Sequence, residues 1–372
     1  MRIALIVPGF SADERDWCIP ALLNLARALA REHAVQVFAL RYPHRRGAYR
    51  VHGVPVCALG GALAAGAARG PLLARALAQI VAHGPFDVVH GFWADEPGAL
   101  AALAGRITGA RSVAAVMGGE LVGLREIGYG GQLSRLNRLL CAAALRGADA
   151  VTVGSPYLAH IARRWAAPPR LSVAPLGVDE RMFRPAAKGD AAEHLPGEPA
   201  LLHVASLVPV KDQATLLRAF ARVAEALPAA RLHMVGAGPL LGPLQALAGE
   251  LGVAERVVWH GAVAHERLPA LYRAADLHLL ASRYESQCLA TLEAAACGTP
   301  TVGTAVGLLA GQPALGVATP VGDAEALANA ALALLRDGRR RRALGDAAYA
   351  LASRRYSVGR TASDLVALYE RL

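Results

Sequence analysis

The residues best able to do chemistry lie between Ser282 and Pro300. In Ser-Arg-Tyr-Glu-Ser-Gln-Cys-Leu-Ala-Thr-Leu-Glu, Glu285 follows the short apolar run Leu277–Leu280, and Glu293 falls in an Ala-rich stretch that ends at Gly298-Thr299-Pro300. The short run reads as a strand and the Ala-rich stretch as a helix, so two carboxylates frame a strand-to-helix junction. A ligand lying over that helix N-terminus would meet both. Free backbone N–H groups and the helix dipole make such a terminus welcoming to an anion, a phosphate above all. Upstream, Lys211 is one of only two lysines among 39 basic residues, the other being Lys188. A chain that otherwise uses arginine has a compact point charge here, on a loop after the run Leu201–Val204. Gly236-Ala237-Gly238-Pro239 follows another such run, Arg231–Val235. Its spacing to Gly242 does not fit the dinucleotide fingerprint, and the next strand ends at His260 rather than at an acid able to hold a ribose, which argues against hydride transfer.

The first half offers a sparser set. His90 closes the run Val88–His90, just before Gly91-Phe92-Trp93, at the carboxyl end of a strand. It is read either as a cleft residue or as a buried, hydrogen-bonded histidine. Gly9 and Ser11 follow the run Ile3–Val7, and Gly119 and Glu120 belong to Met117-Gly118-Gly119-Glu120 after Ser112–Val116, so these four are acceptor-side candidates. The segment Arg41-Tyr42-Pro43-His44-Arg45-Arg46, with Arg50, reads as a basic loop able to meet an anionic acceptor or lipid headgroups. Arg339 to Arg342 read as the solvated face of a helix.

Short β-type runs alternate with longer Ala/Leu-rich helical patterns from end to end, the signature of parallel sheets covered by helices. The first series has strands at Ile3–Val7, Val35–Leu40, Val54–Ala58, Val88–His90, Ser112–Val116, Val151–Val153 and Leu171–Ala174, with helices such as Pro20–Arg31 and Leu133–Arg146. The second has strands at Leu201–Val204, Arg231–Val235, Val257–His260, Leu277–Leu280 and Thr301–Gly303, and helices near Thr215–Ala226, Leu240–Leu251, Leu268–Ala274, Leu289–Cys297 and Ala324–Arg336. Between them, Pro175-Leu176-Gly177-Val178-Asp179, Phe183-Arg184-Pro185 and a polar stretch to about Pro199 mark a hinge. The expected domains are 1–182 and 183–355, with a final helix, about 356–372, that packs back onto the first. Ligands of open α/β sheets bind outside the carboxyl ends of the strands, so functional residues are expected just after strands in both halves.

At 372 residues, 54% hydrophobic and 18% charged, the chain has ample core for two domains and no disorder signature. Arg69 and Arg75 interrupt the Ala-rich stretch from Ala58 to His83, so no run reaches the roughly 18 apolar residues of a membrane span. The first apolar run is too short for a signal peptide, and five scattered cysteines without C-x-x-C suit a reducing compartment. A cytoplasmic location is expected, peripheral at the inner face of the membrane in one reading. Residues 1–182 hold 20 basic and 12 acidic residues, a net of +8, whereas the remainder, with 19 and 17, is nearly balanced. That asymmetry is either a solvated arginine surface or a contact with an anionic membrane or phosphorylated acceptor. No nucleic-acid module is visible, because the basic residues are not interleaved with stacking aromatics.

The Glu-x7-Glu segment, together with Val204-Ala205-Ser206-Leu207-Val208-Pro209-Val210-Lys211-Asp212, Val235-Gly236-Ala237-Gly238-Pro239 and Pro175-Leu176-Gly177-Val178-Asp179, resembles the retaining GT-B glycosyltransferases of the glycosyltransferase group 1 family. The resemblance is nearly continuous from about Leu171 to Leu309 and mainly architectural before that. It implies a GT-B fold, two Rossmann-like doubly wound domains facing a central cleft, and transfer of a sugar with retention from a nucleotide-diphosphate sugar to an acceptor hydroxyl. That donor is a substrate, and neither a cofactor nor a metal is expected. By resemblance, Glu293 takes hydrogen bonds from the ribose, Glu285 contacts the donor sugar, and Lys211 binds the diphosphate and is catalytic with Glu285. Ser206, Gly236, Gly238, Gly261, Arg283, Ser286, Gln287, Cys288 and Leu289 complete the donor set. His90 is carried as a catalytic candidate as well as an acceptor-side one. Three departures stand out: Ser206 where an arginine is usual, Ser286-Gln287-Cys288 in place of Gly-Phe-Gly, and Met117 where a histidine is frequent. Two other readings stay open, a non-catalytic nucleotide-sugar-binding protein and a sugar-nucleotide epimerase or phosphorylase of the same architecture.

Overall fold

The computed structural model describes residues 1–61, 68–167, 170–187 and 193–372. Lys188, part of the polar hinge stretch and part of the Ala-rich segment before Arg69 lie outside the described residues. The chain divides into two units, Met1–Gly177 with Val358–Leu372, and Val178–Ser357.

The first unit begins with β1 (Arg2–Gly9), α1 (Pro20–Leu29), β2 (Ala34–Tyr42), β3 (Arg46–Val51) and β4 (Val54–Leu59). It continues through α2 (Arg69–His83), β5 (Val88–Phe92), α3 (Glu96–Thr108), β6 (Arg111–Val116), α4 (Arg135–Gly147), β7 (Ala150–Val153), α5 (Pro156–Ala162) and β8 (Leu171–Val173). The sheet order is β3-β4-β2-β1-β5-β6-β7-β8, parallel throughout except for the antiparallel β3–β4 pair. All five residues of β5 are buried, as expected for a central strand covered on both faces. Ser134 and Ser155 cap α4 and α5 by accepting from Asn137 and Leu158 N–H. The arginine-rich segment is thus only partly a loop, residues 43–45, set between two strands that do not pair with each other. β2 runs on through Arg41 and Tyr42, and Arg46 opens β3, because Gly47 and the Tyr49 and Val51 side chains let the segment pair back along β4.

The second unit comprises β9 (Ala200–Val204), α6 (Gln213–Ala226), β10 (Arg231–Val235), α7 (Leu241–Glu250), β11 (Val257–Gly261), α8 (Leu268–Ala274) and β12 (Leu277–Leu280). It closes with α9 (Leu289–Ala296), β13 (Thr301–Thr304), β14 (Gly316–Thr319), α10 (Ala324–Arg336) and α11 (Gly338–Arg355). Its parallel sheet runs β11-β10-β9-β12-β13-β14. One face packs Leu216, Phe220 and Leu327 against Leu201, Leu232 and Leu279; the other packs Tyr272, Leu292 and Ala295 around Leu202 and Val235. Arg339, Arg340 and Arg342 are exposed along α11, while Arg341 reaches Asp276 at 2.8 Å.

The last helix, α12 (Val358–Arg371), belongs to the first unit and packs on α1. Thr361 Oγ1 donates to the Pro175 carbonyl at 2.8 Å. In both sheets the strand order reverses beside the first strand, between β1 and β5 and between β9 and β12, and such switch points are where ligands of open α/β sheets bind.

Candidate functional site

In the second unit the sequence candidates gather at the β9/β12 switch point. A loop and a short 3-10 turn, Pro209–Lys211, follow β9, and Asp212 then caps α6 through an N–H of Thr215. After β12 come Ser282, Arg283 and Glu285, and α9 begins at Leu289. Lys211 Nζ stands 2.5 Å from Glu285 Oε1, and Ser282 Oγ donates to the same oxygen at 2.7 Å. Glu285 is buried, and the Lys211 side chain keeps about a quarter of its surface exposed. A carboxylate and an ammonium are therefore held at one point, each compensating the other's desolvation. Arg283 donates from Nε to Asp212 Oδ2 at 3.2 Å, and its N–H reaches the Val210 carbonyl at 2.8 Å. This pair ties the Lys211 loop to the Glu285 loop. Ser282 and Asp212 lie in the quoted motifs but carried no expected role; both are polar residues whose contacts appear only when two loops from distant strands meet.

Glycines shape the rest. A Cβ on Gly236, at φ +138°, would collide with the Ala205 carbonyl, and one on Gly238 with the Leu207 carbonyl, so the turn after β10 lies against the turn after β9 because those positions have no side chain. Gly236 N–H donates to the Gly261 carbonyl at 2.8 Å, which draws the end of β11 into the same cluster. Ser206 is exposed, and its carbonyl accepts from Gln213 Nε2. Gln287 and Cys288 are buried, Ser286 and Leu289 half-buried. Cys288 carries φ +75°, a left-handed conformation that suits glycine, so a non-glycine residue sits here in a backbone shape that glycine adopts more readily.

No side chain caps α9, whereas Asp212, Asp323 and Asp337 cap α6, α10 and α11. The N–H groups of its first turn are therefore not taken up by the side chain of its N-cap residue, Cys288. Glu293, one face further along α9, accepts from Tyr272 Oη at 3.1 Å. Burial pushes its carboxyl up to about 7, the Tyr272 hydrogen bond opposing. Among the described residues no group of three or more His, Cys, Asp or Glu side chains is gathered as a metal site.

In the first unit the candidates separate. His90 is fully buried, its Nδ1 2.7 Å from Tyr369 Oη and its ring stacked on Phe92. Burial lowers its pKa to about 3, so it is neutral. The reading of His90 as a ligand-facing catalytic or acceptor-side residue is therefore corrected: it packs against α12 and touches no open space. Ser11 is likewise 1% exposed, and Gly9 is buried beside Tyr42 and Cys18. Arg41 is taken up by a two-oxygen bond to Glu96 at 2.7 and 2.8 Å, which Arg69 joins at 3.1 Å.

Gly119 and Glu120 do come together, in a pocket of about 240 Å³ at the ends of β5 and β6. Trp93, Asp95, Tyr129 and Asn137 line it with them. Glu120 accepts from the N–H groups of Ala94, Met117 and Gly118, fastening the loop after β5 to the loop after β6. Burial pushes its carboxyl up to about 7, against those hydrogen bonds. Asp95 is pushed up from the ordinary carboxylate range, first by burial and then by neighbouring Glu96. The pocket presents carboxylates, an amide and an indole.

Residues 189–351 match the model of the glycosyl transferases group 1, and residues 21–181 that of glycosyltransferase family 4. The chain is 31% identical over 293 residues to a GDP-mannose-dependent alpha-(1-6)-phosphatidylinositol monomannoside mannosyltransferase of Mycolicibacterium smegmatis, covering 74% of each. It belongs to the group 1 glycosyltransferases of family 4. This glycosyltransferase is also 38% identical over 221 residues to a D-inositol 3-phosphate glycosyltransferase of Segniliparus rotundus, covering 56% of this chain and 49% of that relative. It thus spans about half the length of one curated relative and about three quarters of the other. Its fold is GT-B. It superposes on sucrose-phosphate synthase from Thermosynechococcus elongatus with a TM-score of 0.80 at 22% identity, covering 100% of this chain and 99% of that one. For the Anabaena protein HepE in complex with UDP and glucose the TM-score is 0.76 at 19% identity, over 100% of both chains.

Proposed function

We propose that the glycosyltransferase moves a sugar, with retention, from a nucleotide-diphosphate sugar bound by the second unit to a hydroxyl of an acceptor bound by the first. The observation that carries this reading is the convergence of Lys211, Ser282 and Glu285 beside the uncapped N-terminus of α9, with Glu293 within the same helix. The diphosphate takes the place of Glu285 as partner of the Lys211 ammonium, and the N–H groups opening α9 supply further donors. As the bond from the sugar's anomeric carbon to phosphate oxygen breaks, Lys211 stabilises the growing negative charge. The acceptor oxygen bonds to the same carbon, and its proton passes to the departing phosphate. Glu285 holds the sugar and favours positive character at its ring. Glu293 takes the ribose hydroxyls. The acceptor chemistry that suits the first unit is a neutral polyol ring: Trp93 offers an apolar face and Asp95 accepts from hydroxyls, and no lysine or arginine is among the described residues that line the pocket.

The mannosyltransferase relative makes GDP-mannose the first donor to try. Thermal unfolding is followed with GDP, UDP and ADP and their sugar conjugates, since a ligand at 100 times its dissociation constant stabilises by about 2.7 kcal/mol. Stabilisation by one nucleotide series, lost in Glu293→Ala, is expected and names the base. A folded protein that responds to none would refute the donor site.

A further inference from the structure

The two carboxylate oxygens of Glu293 are treated differently by the protein around them. Oε2 accepts from Tyr272 Oη at 3.1 Å, whereas Oε1 has no partner among the described residues and is not sealed from solvent, on a side chain that is half-buried. The Tyr272 hydroxyl has no second partner among the described residues either. A phenol carries one O–H, the residue is 0% exposed, and Glu293 is its acceptor. A buried donor is therefore committed to one oxygen of a carboxylate whose other oxygen stays open.

Tyr272 is itself fixed on every side. It stands on α8 in the core that also holds Leu292 and Ala295 of α9. Its ring meets His278 edge-on at 5.7 Å and Phe183 at 6.2 Å, and its carbonyl accepts from Thr299 Oγ1 at 2.6 Å. The hydroxyl is thus in place before any ligand arrives. A glutamate free on a helix face samples several rotamers, and ordering it on binding costs entropy; one held by Tyr272 presents Oε1 in a single direction. The hydrogen bond also favours the ionised carboxylate, against burial. Only the ionised form is purely an acceptor, the form that suits a pair of sugar hydroxyls.

We propose that Tyr272 is a positioning residue for nucleotide-sugar recognition: its hydroxyl aims Glu293 Oε1 at the donor and favours the ionised form of that carboxylate. This role rests on the donor reading, in which Glu293 takes the ribose hydroxyls. The groups that surround the pair do not titrate near neutrality. Cys288 and Cys297, at the two ends of α9, are both pushed up to about 12 by burial, and His278 on β12 is lowered by burial to about 3. Tyr272 is raised well above 10, again by burial. Arg273 on α8 faces Cys297 and reaches the Arg184 carbonyl at 3.5 Å. Glu293 is therefore the member of this cluster whose charge changes around pH 7.

Calorimetric binding of GDP-mannose, UDP-glucose and ADP-glucose to the full chain, from about pH 5.5 to about pH 8.5, tests this role. Sugar conjugates are used because a free nucleoside diphosphate has a terminal phosphate that titrates in the same range. In the parent, affinity is expected to fall through a midpoint at about 7. Tyr272→Phe removes a hydrogen bond to a charged group and should move that midpoint up by about one unit. From the ionised fraction of Glu293, affinity then weakens about fivefold at pH 7 and less than about twofold at pH 8.5. A 3-fluorotyrosine at position 272, nearly isosteric and a stronger donor, keeps the packing and should move the midpoint down. Thr299→Val frees the Tyr272 carbonyl but spares the hydroxyl, so it should lower the melting temperature and leave the midpoint in place. Glu293→Gln with Tyr272→Phe should bind as Glu293→Gln alone does at every pH. The role is overturned by a midpoint unmoved in both Tyr272 variants, or by an equal loss at every pH, as a merely structural tyrosine would give. It is overturned equally by the same shift in Thr299→Val, or by a shift that persists without Glu293. A parent that binds none of the three conjugates refutes the donor reading itself, and the role of Tyr272 falls with it.

Discussion

Replacing Lys211 tests the charge logic of the proposed donor site most directly, because the proposal gives that ammonium two separable effects. Without ligand it pairs with Glu285 at 2.5 Å, and Glu285 has only 10% of its side chain exposed. Lys211→Ala leaves that carboxylate with Ser282 as its named donor. Losing one partner of a fully buried pair costs about 3–5 kcal/mol. Here Lys211 is 24% exposed and Ser282 remains, so about 2 kcal/mol is a fair expectation, or a fall of about 6 °C for a unit of this size. On the proposed mechanism the same change removes one donor to the departing diphosphate, which should lower kcat by about 100- to 1000-fold. The two effects part company in the double variant Lys211→Met with Glu285→Gln, which removes both charges together. Its melting temperature should return to within a degree or two of the parent, whereas turnover stays low. Nucleoside diphosphate release, measured beside thermal unfolding, reads both. If Lys211→Ala turns over within about threefold of the parent, the ammonium does not act on the leaving group, and the reasoning fails.

Glu293 carries a pH signature. Its folded-state pKa, raised to about 7 by burial, means that this group stabilises the fold fully below pH 4.5 and that the contribution is lost as pH rises through 7. If Glu293 takes the ribose hydroxyls as proposed, donor binding needs the ionised carboxylate and should weaken as pH falls below about 7; in Glu293→Gln, calorimetric donor affinity should be weaker and flat across that range. Buried His90 and His278, with pKa values lowered to about 3, tilt stability the other way, so the difference between variant and parent is the quantity to read. Gly236→Ala places a methyl group against the Ala205 carbonyl at φ +138°, and should cost about 3 kcal/mol or more in chemical denaturation and remove nucleotide-induced stabilisation. A variant with parental stability would show that the turn yields easily.

Central strands and the donor-site motif were legible because burial writes them into composition. β5, β9 and β12 are apolar on both faces and read as short continuous runs. Two edge strands were not. β3 carries two arginines and is mostly exposed before buried Val51, and β14 is four residues on the far edge of its sheet; an edge strand is flanked on one side only and shows no apolar run. His90 was expected to close its strand, but β5 runs on to Phe92 and holds His90 mid-strand; in a strand buried on every residue there is no alternation to say which way a side chain points. Its partner is Tyr369, 279 residues away. The pocket beside Glu120 was half visible for the same reason: Gly119 and Glu120 sit in one motif, whereas Asp95, Tyr129 and Asn137 arrive from other loops and from α4.

The assignment of α12 to the first unit has a consequence for how the chain matures. Val178–Ser357 is one uninterrupted segment, so that unit holds all its strands once it has left the ribosome. The first unit, although synthesised earlier, waits for Val358–Leu372 before α1 is covered and His90 gains its hydrogen bond. The later-made unit can therefore be the first to finish folding, and a nascent chain stalled before Tyr369 would carry the second unit in native form while the first still has an open flank.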